Sequence, residues 1–302
     1  MSLLLPFERG ASGYYALLGA REPRAQRELP PLQGDGTVGS MSAHWREWRR
    51  AGAPRLLVQW LRGGVPLRWK GAVRPRSIEA KGGQELGLQQ ELQQLVEDGA
   101  FVPYEGAVIS PTFIIPKHGG GTRLIHDLRE VNKCIEPPKF TLKGASDAAQ
   151  VVRESNWLVA LDLRHGYQQV AMAPEARRYL GARLGDQVLA STVLPFGLNI
   201  SPYVFTRLTN FLAREVRRRF GLQVAVYVDD FLLGASTREA LERGLEEVKN
   251  FFTRLGVVLS DKAPAVVSQR AEFLGFSGDA VAKEVSVSQE RRRQYRREVK
   301  AL

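Results

Sequence analysis

Two adjacent carboxylates stand between two short apolar runs. Asp229 and Asp230 follow residues 224–226 and precede residues 231–234. The pattern predicts two buried strands joined by a tight turn at the acids, where Asp tolerates the positive φ that such turns often need. Neighbouring carboxylates repel each other unless a cation lies between them, so a divalent-metal site is one interpretation. Two solvated acids on a surface hairpin are the other, and the pair alone leaves both open.

A third carboxylate closes an earlier apolar run. Residues 157–163 are apolar apart from Asp162, which stands one position before the end. A buried strand that ends in a charge indicates a site, because a buried charge needs a compensating partner. Mg²⁺ prefers hard oxygen ligands and keeps positions open for water and phosphates. Three carboxylates from two adjacent strands therefore predict a phosphoryl-transfer centre with two metal ions.

Five sequence blocks lie in order along the chain around these acids. They are residues 123–133, Asp162 with Tyr167, residues 194–198 followed by Ser201 and Pro202, residues 227–230, and residues 273–276. Together they resemble the fingers and palm motifs of reverse transcriptases, over about residues 85–277. Within that family, the 194–198 block and the tryptophan-bearing leader look most like retrotransposons of the DIRS-like and LTR type.

The resemblance implies roles for individual residues. It makes Asp162, Asp229 and Asp230 the catalytic carboxylates, and these three with Leu163 the ligands of two Mg²⁺ ions, for which Mn²⁺ is a substitute. The expected nucleotide contacts are Lys117, Arg123, Tyr167, Phe196, Gly197 and Lys262. The expected primer grip, which holds the primer end against the metals, is Phe273, Leu274, Gly275 and Phe276.

Some of these roles have plain structural alternatives. Tyr167 matches the position under the sugar that selects deoxynucleotides, but an aromatic residue five positions after an acid is also typical of a core. Lys262 matches a lysine beside the leaving pyrophosphate, and an ordinary surface lysine is the alternative. Gly197 supplies a place where the backbone can approach a ligand closely.

The fold implied by the resemblance is an α+β right-hand polymerase with an antiparallel palm sheet backed by helices and a truncated thumb. The expected regions are a Trp/Arg-rich and partly flexible extension at 1–75, fingers at 76–137 and 170–200, palm at 138–169 and 201–280, and the start of a thumb at 281–302. A glycine tip at 119–121 predicts a fingers hairpin able to close over a triphosphate.

Two palm helices are predicted from their ends. Ser201 as cap and Pro202 at the first turn begin the first helix, which Gly221 ends. A capping box over residues 236–239 begins the second, which Gly256 ends. Both helices are expected on one face of the palm sheet, and residues 257–259 are expected to add a further strand.

The extension interleaves aromatic residues with cations. Trp45, Trp48, Trp60 and Trp69 stand among arginines in residues 44–76. Such a mixture can stack bases and pair phosphates. The alternative, which we favour from the sequence, is that the tryptophans anchor the extension onto the fingers. The run at 217–219 is three arginines, and the C-terminus of a helix explains it without nucleic acid.

The composition narrows the class of partner. The chain has 302 residues with a formal net charge of +11 and a pI near 10, which favours a polyanion such as a template and primer. Cys134 is the single cysteine, which excludes an intramolecular disulfide and a Cys-rich zinc site and fits a reducing compartment, cytoplasmic or nuclear. Without an apolar run of about 20 residues, no membrane partner is expected.

These observations predict an RNA-directed DNA polymerase of a retrotransposon-like element. It would extend a primer 3′-hydroxyl with deoxynucleoside triphosphates on an RNA or DNA template by two-metal phosphoryl transfer. The short segment after residue 281 predicts that a longer polyprotein or a partner chain supplies the missing thumb and RNase H domain. The alternative is a domesticated, non-catalytic nucleic-acid-binding or scaffold protein with the same fold. An RNA-dependent RNA polymerase is disfavoured by Tyr167 and Val228.

Overall fold

A computed structural model describes residues 36–72, 74–78, 86–116, 122–136, 139–142, 144–261, 265–288 and 291–292. The side chains of Leu86, Arg123 and Ala145 fall outside this description. So do the leader up to residue 35, the glycine tip at 119–121 and the thumb helix beyond residue 292, for which the sequence-based expectations stand as predictions.

The described residues form helices and antiparallel sheets. The helices are α1 (Ser40–Ala43), α2 (Trp45–Arg50), α3 (Arg55–Gly63), α4 (Leu86–Glu97), α5 (Arg129–Cys134), α6 (Ala145–Glu154), α7 (Pro174–Arg177), α8 (Ser201–Phe220) and α9 (Arg238–Arg254), with a 3₁₀ helix at Gly166–Gln169. The strands are β1 (Phe101–Pro103), β2 (Thr112–Pro116), β3 (Thr122–His126), β4 (Trp157–Asp162), β5 (Gly181–Leu184), β6 (Gln187–Ser191), β7 (Gln223–Tyr227), β8 (Asp230–Ala235), β9 (Arg270–Phe273), β10 (Phe276–Asp279) and β11 (Glu284–Val287). No described helix has the length and apolar character to cross a bilayer.

The central palm sheet has the order β4-β8-β7 and is antiparallel throughout. Because side chains alternate between the two faces of a strand, Val159 and Phe231 point to one face, where α8 and α9 pack. Leu158 and Leu232 point to the other face, against α6 and the β9–β10 hairpin. The α+β palm with two helices on one face is therefore as predicted.

The two long palm helices begin differently from the prediction. Ser201 lies inside α8 rather than capping it, since Ile200 is the N-cap and the Ser201 hydroxyl donates to the carbonyl of Pro195 at 2.9 Å. In α9 the cap is Thr237, whose hydroxyl accepts from the amide of Ala240 at 3.2 Å. The predicted helices exist, but a side-chain oxygen caps only the second.

The fingers contain two sheets, of order β1-β6-β5 and β2-β3. The strands β2 and β3 pair as a hairpin from Thr112 opposite His126 to Pro116 opposite Thr122, which confirms the predicted hairpin below the tip. His126 is buried, and its Nε2 donates to the carbonyl of Gly181 at 2.9 Å, which links β3 to β5. Burial lowers the pKa of His126 to about 4, so the ring is neutral and acts as a structural link.

The extension packs on the palm through Trp48. Its side chain is fully buried, its indole nitrogen donates to the carbonyl of Leu255 at 2.8 Å, and its ring centroid lies 5.4 Å from that of Phe211. Leu255 follows α9 and Phe211 belongs to α8. The expectation that this tryptophan anchors the extension onto the fingers is therefore wrong, because the outer side of the palm helices presents apolar side chains that the sheet does not cover.

The other two anchoring tryptophans divide between palm and fingers. Trp60 meets Tyr203 of α8, with ring centroids 5.9 Å apart. The ring centroid of Trp69 lies 4.5 Å from that of Tyr179, in the predicted fingers. Trp69 therefore makes the kind of contact that the sequence predicted for all the tryptophans of the extension. Residues of α1 to α3 thus belong to the same core as the palm helices.

The strand predicted at 257–259 is reduced to a single antiparallel bridge, between Leu259 and Leu163. The chain still runs alongside the end of β4, because the amide of Arg164 donates to Val258 at 3.0 Å and that of Ser260 donates to Asp162 at 2.8 Å. This segment fixes the position of the chain immediately after Asp162.

Candidate functional site

The hairpin of β7 and β8 turns at Val228 and Asp229. Tyr227 and Asp230 are the closing pair of the ladder, so the turn has two residues. The positive φ of the turn, 55°, falls on Val228 and not on an aspartate, contrary to the prediction. A β-branched residue in this region is strained by about 1–3 kcal/mol and persists only where its surroundings impose it. The turn therefore holds Asp229 in a defined position.

The strand register brings the third acid to the same place. Asp162 is directly opposite Asp230 in the β4–β8 ladder, where facing Cβ atoms are about 4.5–5.5 Å apart. The amide of Leu163 donates to the carbonyl of Asp229 at 3.2 Å, which ties the end of β4 to the hairpin turn. All three predicted carboxylates thus converge at one end of the palm sheet.

The carboxylates perturb one another electrostatically. Burial, together with the charges of Asp229 and Asp162, raises the pKa of Asp230 to about 7. Burial and the nearby charge of Asp229 also raise the pKa of Tyr167, to about 12. Burial is the larger cause of both shifts, and the negative charge of the neighbouring acids, which a cation would relieve, adds to it.

The donor set fits a hard divalent ion. It consists of carboxylate oxygens, with Asp162 exposed and Asp229 and Asp230 half-buried. From the described part of the chain, the carbonyl of Leu163 receives no hydrogen bond, which is consistent with its predicted use as a main-chain ligand. The described residues contain no group of three or more His, Cys, Asp or Glu that encloses a metal by itself. An open carboxylate edge, completed by water and substrate oxygens, fits this pattern better than a closed cage.

A cleft of about 290 Å³ adjoins the acids. Asp162 and Asp230 line one side, and Phe273, Leu274 and Gly275 of the β9–β10 hairpin line the other. Two of the three predicted catalytic acids and three of the four predicted primer-grip residues therefore line one cavity, whereas Asp229 and Phe276 are not part of its lining.

The β9–β10 hairpin presents its main chain at a tight turn. Leu274 and Gly275 are the turn residues, with φ of 54° and 75°. The guanidinium of Arg291 donates to the carbonyl of Leu274 at 2.9 Å and lies 5.6 Å from the centre of the Phe276 ring. Arg291, which follows β11 in the chain, therefore holds this turn in place through its side chain.

An aromatic wall stands next to the hairpin of acids. The ring of Tyr167 lies 4.9 Å from that of Phe196 and 5.4 Å from that of Phe205. Phe196 is 43% exposed, so one side of this pair is open to a ligand. A Cβ at Gly166 would lie 2.7 Å from the Phe205 ring and 3.2 Å from Asp229 Cβ, so glycine there permits the close approach of the 3₁₀ helix to the acids.

The loop at 194–198 is tied to the fingers by a residue that the sequence analysis did not single out. Asn132 donates from its side-chain amide to the carbonyl of Gly197 at 2.8 Å and accepts from the amide of Asn199 at 2.9 Å. Gly197 has a φ of 93°, and a Cβ there would lie 2.2 Å from the His126 carbonyl oxygen. The glycine is thus explained by contact with the protein's own backbone. Asn132 lies within the fingers block, but no spacing rule marks it.

Gln169 is a second such residue. Its fully buried side chain accepts from the amide of Val258 at 3.0 Å and donates to the carbonyl of Val258 at 2.9 Å. It also donates to the carbonyl of Arg164 at 2.7 Å. The side-chain amide of Gln169 therefore forms the hydrogen bonds that a neighbouring strand would form, and it holds residues 257–260 beside the three acids.

Three predicted nucleotide contacts have no described side chain. Lys117 and Lys262 lie outside the described residues. Arg123 is paired with Ile115 in the fingers hairpin, but its side chain falls outside the description. Their roles remain predictions.

The chain is similar to polymerases of retroelements. The family model described as "Reverse transcriptase (RNA-dependent DNA polymerase)" matches residues 115–277, more than half of the chain. The Gag-Pol polyprotein of Rous sarcoma virus subgroup B (strain Schmidt-Ruppin) is 29% identical over 228 residues, covering 70% of this chain and 14% of that protein. The Pol polyprotein from the transposon gypsy of Drosophila melanogaster is 24% identical over 195 residues, covering 63% of this chain and 19% of that protein. The chain thus spans less than a fifth of the length of these relatives.

Solved structures agree on the fold. The native protease-reverse transcriptase of prototype foamy virus matches with a TM-score of 0.57 and 25% identity, covering 74% of this chain and 29% of that one. The foamy viral protease-reverse transcriptase in complex with double-stranded DNA matches with a TM-score of 0.65 and 19% identity, covering 87% of this chain and 50% of that one.

Proposed function

The chain belongs to the reverse transcriptase family, and from that premise we propose that it is an RNA-directed DNA polymerase that extends a primer 3′-hydroxyl with deoxynucleoside triphosphates. One observation carries the proposal: Asp162 is in register with Asp230, next to Asp229 and across a cleft from the β9–β10 hairpin. A scaffold has no need of three acids gathered at one edge of the sheet, where their charges repel one another.

Asp162, Asp229 and Asp230, with the carbonyl of Leu163, would hold two Mg²⁺ ions. When bound, Mg²⁺ lowers the pKa of a hydroxyl and neutralises charge on phosphate oxygens. The protein's own contribution is positioning. The ladder pairing fixes two of the acids, and the strained turn at Val228 fixes the third.

The cleft would receive the end of the primer. Leu274 and Gly275 line the same cavity of about 290 Å³ as Asp162 and Asp230. Arg291 keeps the turn at Leu274 and Gly275 in place. The foamy viral relative has been solved with double-stranded DNA and with an RNA/DNA hybrid, which supports a duplex as the ligand of this cleft.

The aromatic wall would form the sugar pocket. Tyr167 contacts Phe196 and interacts with the charge of Asp229, and its raised pKa keeps the hydroxyl protonated. A ring packed on both Phe196 and Phe205 cannot yield to an added 2′-hydroxyl, so it would exclude ribonucleotides by steric contact.

Primer extension on an RNA template tests the proposal. The wild type should extend with Mg²⁺ and deoxynucleotides at low salt, where duplex binding is strongest. Asp229→Asn should lose at least about 10³-fold in rate, since several kcal/mol of charge stabilisation depend on the metal site. Its affinity for the duplex should stay within about threefold, because phosphate contacts dominate binding. Asp186→Asn, at an exposed turn of the fingers, is the matched control.

Activity in Asp229→Asn close to that of the wild type would remove these acids from the mechanism. Duplex binding by the wild type without extension would instead favour a non-catalytic nucleic-acid-binding protein. Because the relatives are long polyproteins, the same assay should also be made on a chain extended beyond residue 302. Extension by the longer chain alone would indicate an enzyme that needs further domains, and no extension by either would indicate a protein that has lost its activity.

Tyr167→Ala tests the sugar pocket. Removal of the ring should lower the preference for deoxynucleotides over ribonucleotides by about 10²-fold, measured as the ratio of kcat/KM values. Phe205→Leu, which changes the buried partner of Tyr167, should have a smaller effect on that ratio. Unchanged discrimination in Tyr167→Ala would exclude the steric role.

A further inference from the structure

A cluster of arginines surrounds one tryptophan of the extension. The guanidinium carbons of Arg46, Arg49 and Arg62 lie 4.7, 5.6 and 5.2 Å from the centre of the Trp45 ring. Trp45, Arg46 and Arg49 belong to α2, and Arg62 comes from α3. The ring is half-buried and the three arginines are exposed. We call these four residues the Trp45 surface.

The charges of the Trp45 surface are not compensated locally. Among the described residues, the acid of α2, Glu47, pairs with Arg50, and no carboxylate pairs with Arg46, Arg49 or Arg62. Three like charges around one ring repel one another, so the arrangement is held by the ring and by the two helices. An anionic ligand would relieve this repulsion.

The surface lies on the opposite side of the palm from the cleft. Asp162, Asp230 and the β9–β10 hairpin occupy the sheet face that carries Leu158 and Leu232. The palm helices α8 and α9 cover the other face, and α2 packs on their outer side through Trp48. The Trp45 surface and the cleft that would hold the duplex therefore lie on opposite sides of the palm sheet.

We propose that the Trp45 surface is a second nucleic-acid site, which binds a single strand. Guanidinium planes fixed over an aromatic ring can stack on bases and donate to phosphates at the same time. A single strand offers both groups without unpairing, whereas a duplex exposes its phosphates and hides its base faces. The proposal does not depend on polymerase activity.

The geometry argues against two other polyanions. A membrane-surface helix needs an exposed apolar face, but in α3 the apolar residues Leu57, Trp60 and Leu61 are buried in the core, and Leu56 and Val58 are half-buried. An acidic protein would satisfy the charges but would leave the stacked guanidinium planes unused. Poly-glutamate therefore serves as a competitor that tests charge without bases.

The experiment uses fluorescence anisotropy to measure the binding of a fluorescein-labelled single-stranded RNA to the full chain. The RNA has 20 nucleotides, roughly the length of strand that such a surface and its flanks can contact. The cleft is first saturated with an unlabelled RNA/DNA hybrid. The test variant is R46Q/R49Q/R62Q, which keeps the stems of the side chains. The matched control is R153Q/R183Q/R243Q, which removes three exposed arginines from other surfaces of the chain.

The test variant should bind the single strand at least about tenfold more weakly than the wild type. The slope of log K against log salt concentration should be smaller in magnitude by about two, because each of the three phosphate contacts on a single strand contributes about 0.7. The control should stay within about twofold. Thermal unfolding of both variants verifies that they are folded. A third variant, R46K/R49K/R62K, keeps the positive charges but loses the planar guanidinium groups. It should recover the salt slope of the wild type but only part of its affinity.

Equal losses in the test and control variants would overturn the proposal, since only net charge would then matter. Competition by poly-glutamate as effective as that by RNA at equal charge would overturn it too. Primer extension on the same preparations is read separately. Loss of extension with single-strand binding intact would count against the proposed polymerase and not against this surface.

Discussion

Two carboxylates of the palm have pKa shifts in opposite directions. The side chain of Glu215, in α8, is only 4% exposed, and it accepts from Arg218 at 2.6 Å and from Arg219 at 3.0 Å. Burial acts to raise its pKa, but the hydrogen bonds from the two arginines outweigh burial and hold the pKa below its usual range. Asp230 has two carboxylates as neighbours, and its pKa rises to about 7.

The difference separates an acid that is neutralised within its own helix from one that we propose to be functional. Glu215 receives its counter-charge from its own helix, so its ionised form is satisfied within the protein. Among the described residues, no arginine or lysine pairs with Asp230. Within the described part of the chain its ionised form therefore has no basic partner, and a bound cation, as proposed above, would supply one.

The largest expected effect is on catalysis. Asp230→Asn should reduce single-turnover primer extension by at least about 10³-fold, because a neutral amide cannot provide the charge that the metal site needs. Thermal unfolding without divalent ions should show this variant to be at least as stable as the wild type, since repulsion with Asp162 and Asp229 is removed. A destabilised variant would contradict the view that Asp230 is uncompensated.

Glu215→Gln should show the opposite profile. It should lower the free energy of unfolding by about 2 kcal/mol, because it breaks charge-assisted hydrogen bonds of a buried acid. Primer extension by the folded variant should remain within about twofold of the wild type. Urea unfolding measures the first quantity. A loss of extension comparable to that of Asp230→Asn would erase the distinction between the two acids.

The smallest effect is the pH dependence of stability. With EDTA present, the folded chain binds the Asp230 proton more tightly than the unfolded chain, so this group's contribution should fall from about pH 4 to about pH 7 and then level off. The pKa of Glu215 is lowered on folding, so its contribution should be present above its usual pKa and be lost as the pH falls.

Thermal unfolding of the wild type and the two variants from about pH 2 to about pH 8 measures both contributions, because that of Glu215 changes only below its usual pKa. The advantage of Asp230→Asn over the wild type should grow with pH, and the deficit of Glu215→Gln should shrink towards acid. Parallel curves for all three proteins would contradict both pKa directions.

The polymerase core could be predicted from the sequence because its elements have local signatures. Apolar runs around Asp162 and around the pair at 229–230 predicted the strands, and glycine ends predicted where α8 and α9 stop. The register places Asp162 opposite Asp230 because β4 ends, and the antiparallel strand β8 begins, at the same edge of the sheet. These features depend on periodicity and on turn chemistry, which a single sequence displays.

The supporting contacts could not be predicted in the same way. Gln169 and Asn132 act through hydrogen bonds to main-chain atoms far away in sequence, and neither has a pattern around it. The positive φ fell on Val228 instead of an aspartate because the strand register, rather than residue preference, decides which position turns. Trp48 looked like its neighbours in the sequence, yet only the fold shows that it packs on the palm.

The burial of Trp48 also bears on how this chain can be divided. Excision of the segment that matches the family, residues 115–277, would remove α1 to α3 and leave Phe211 and the end of α9 facing water. An exposed apolar area of that kind favours aggregation over folding. The smallest fragment able to fold by itself is therefore longer, at its N-terminal end, than the segment by which the family is recognised.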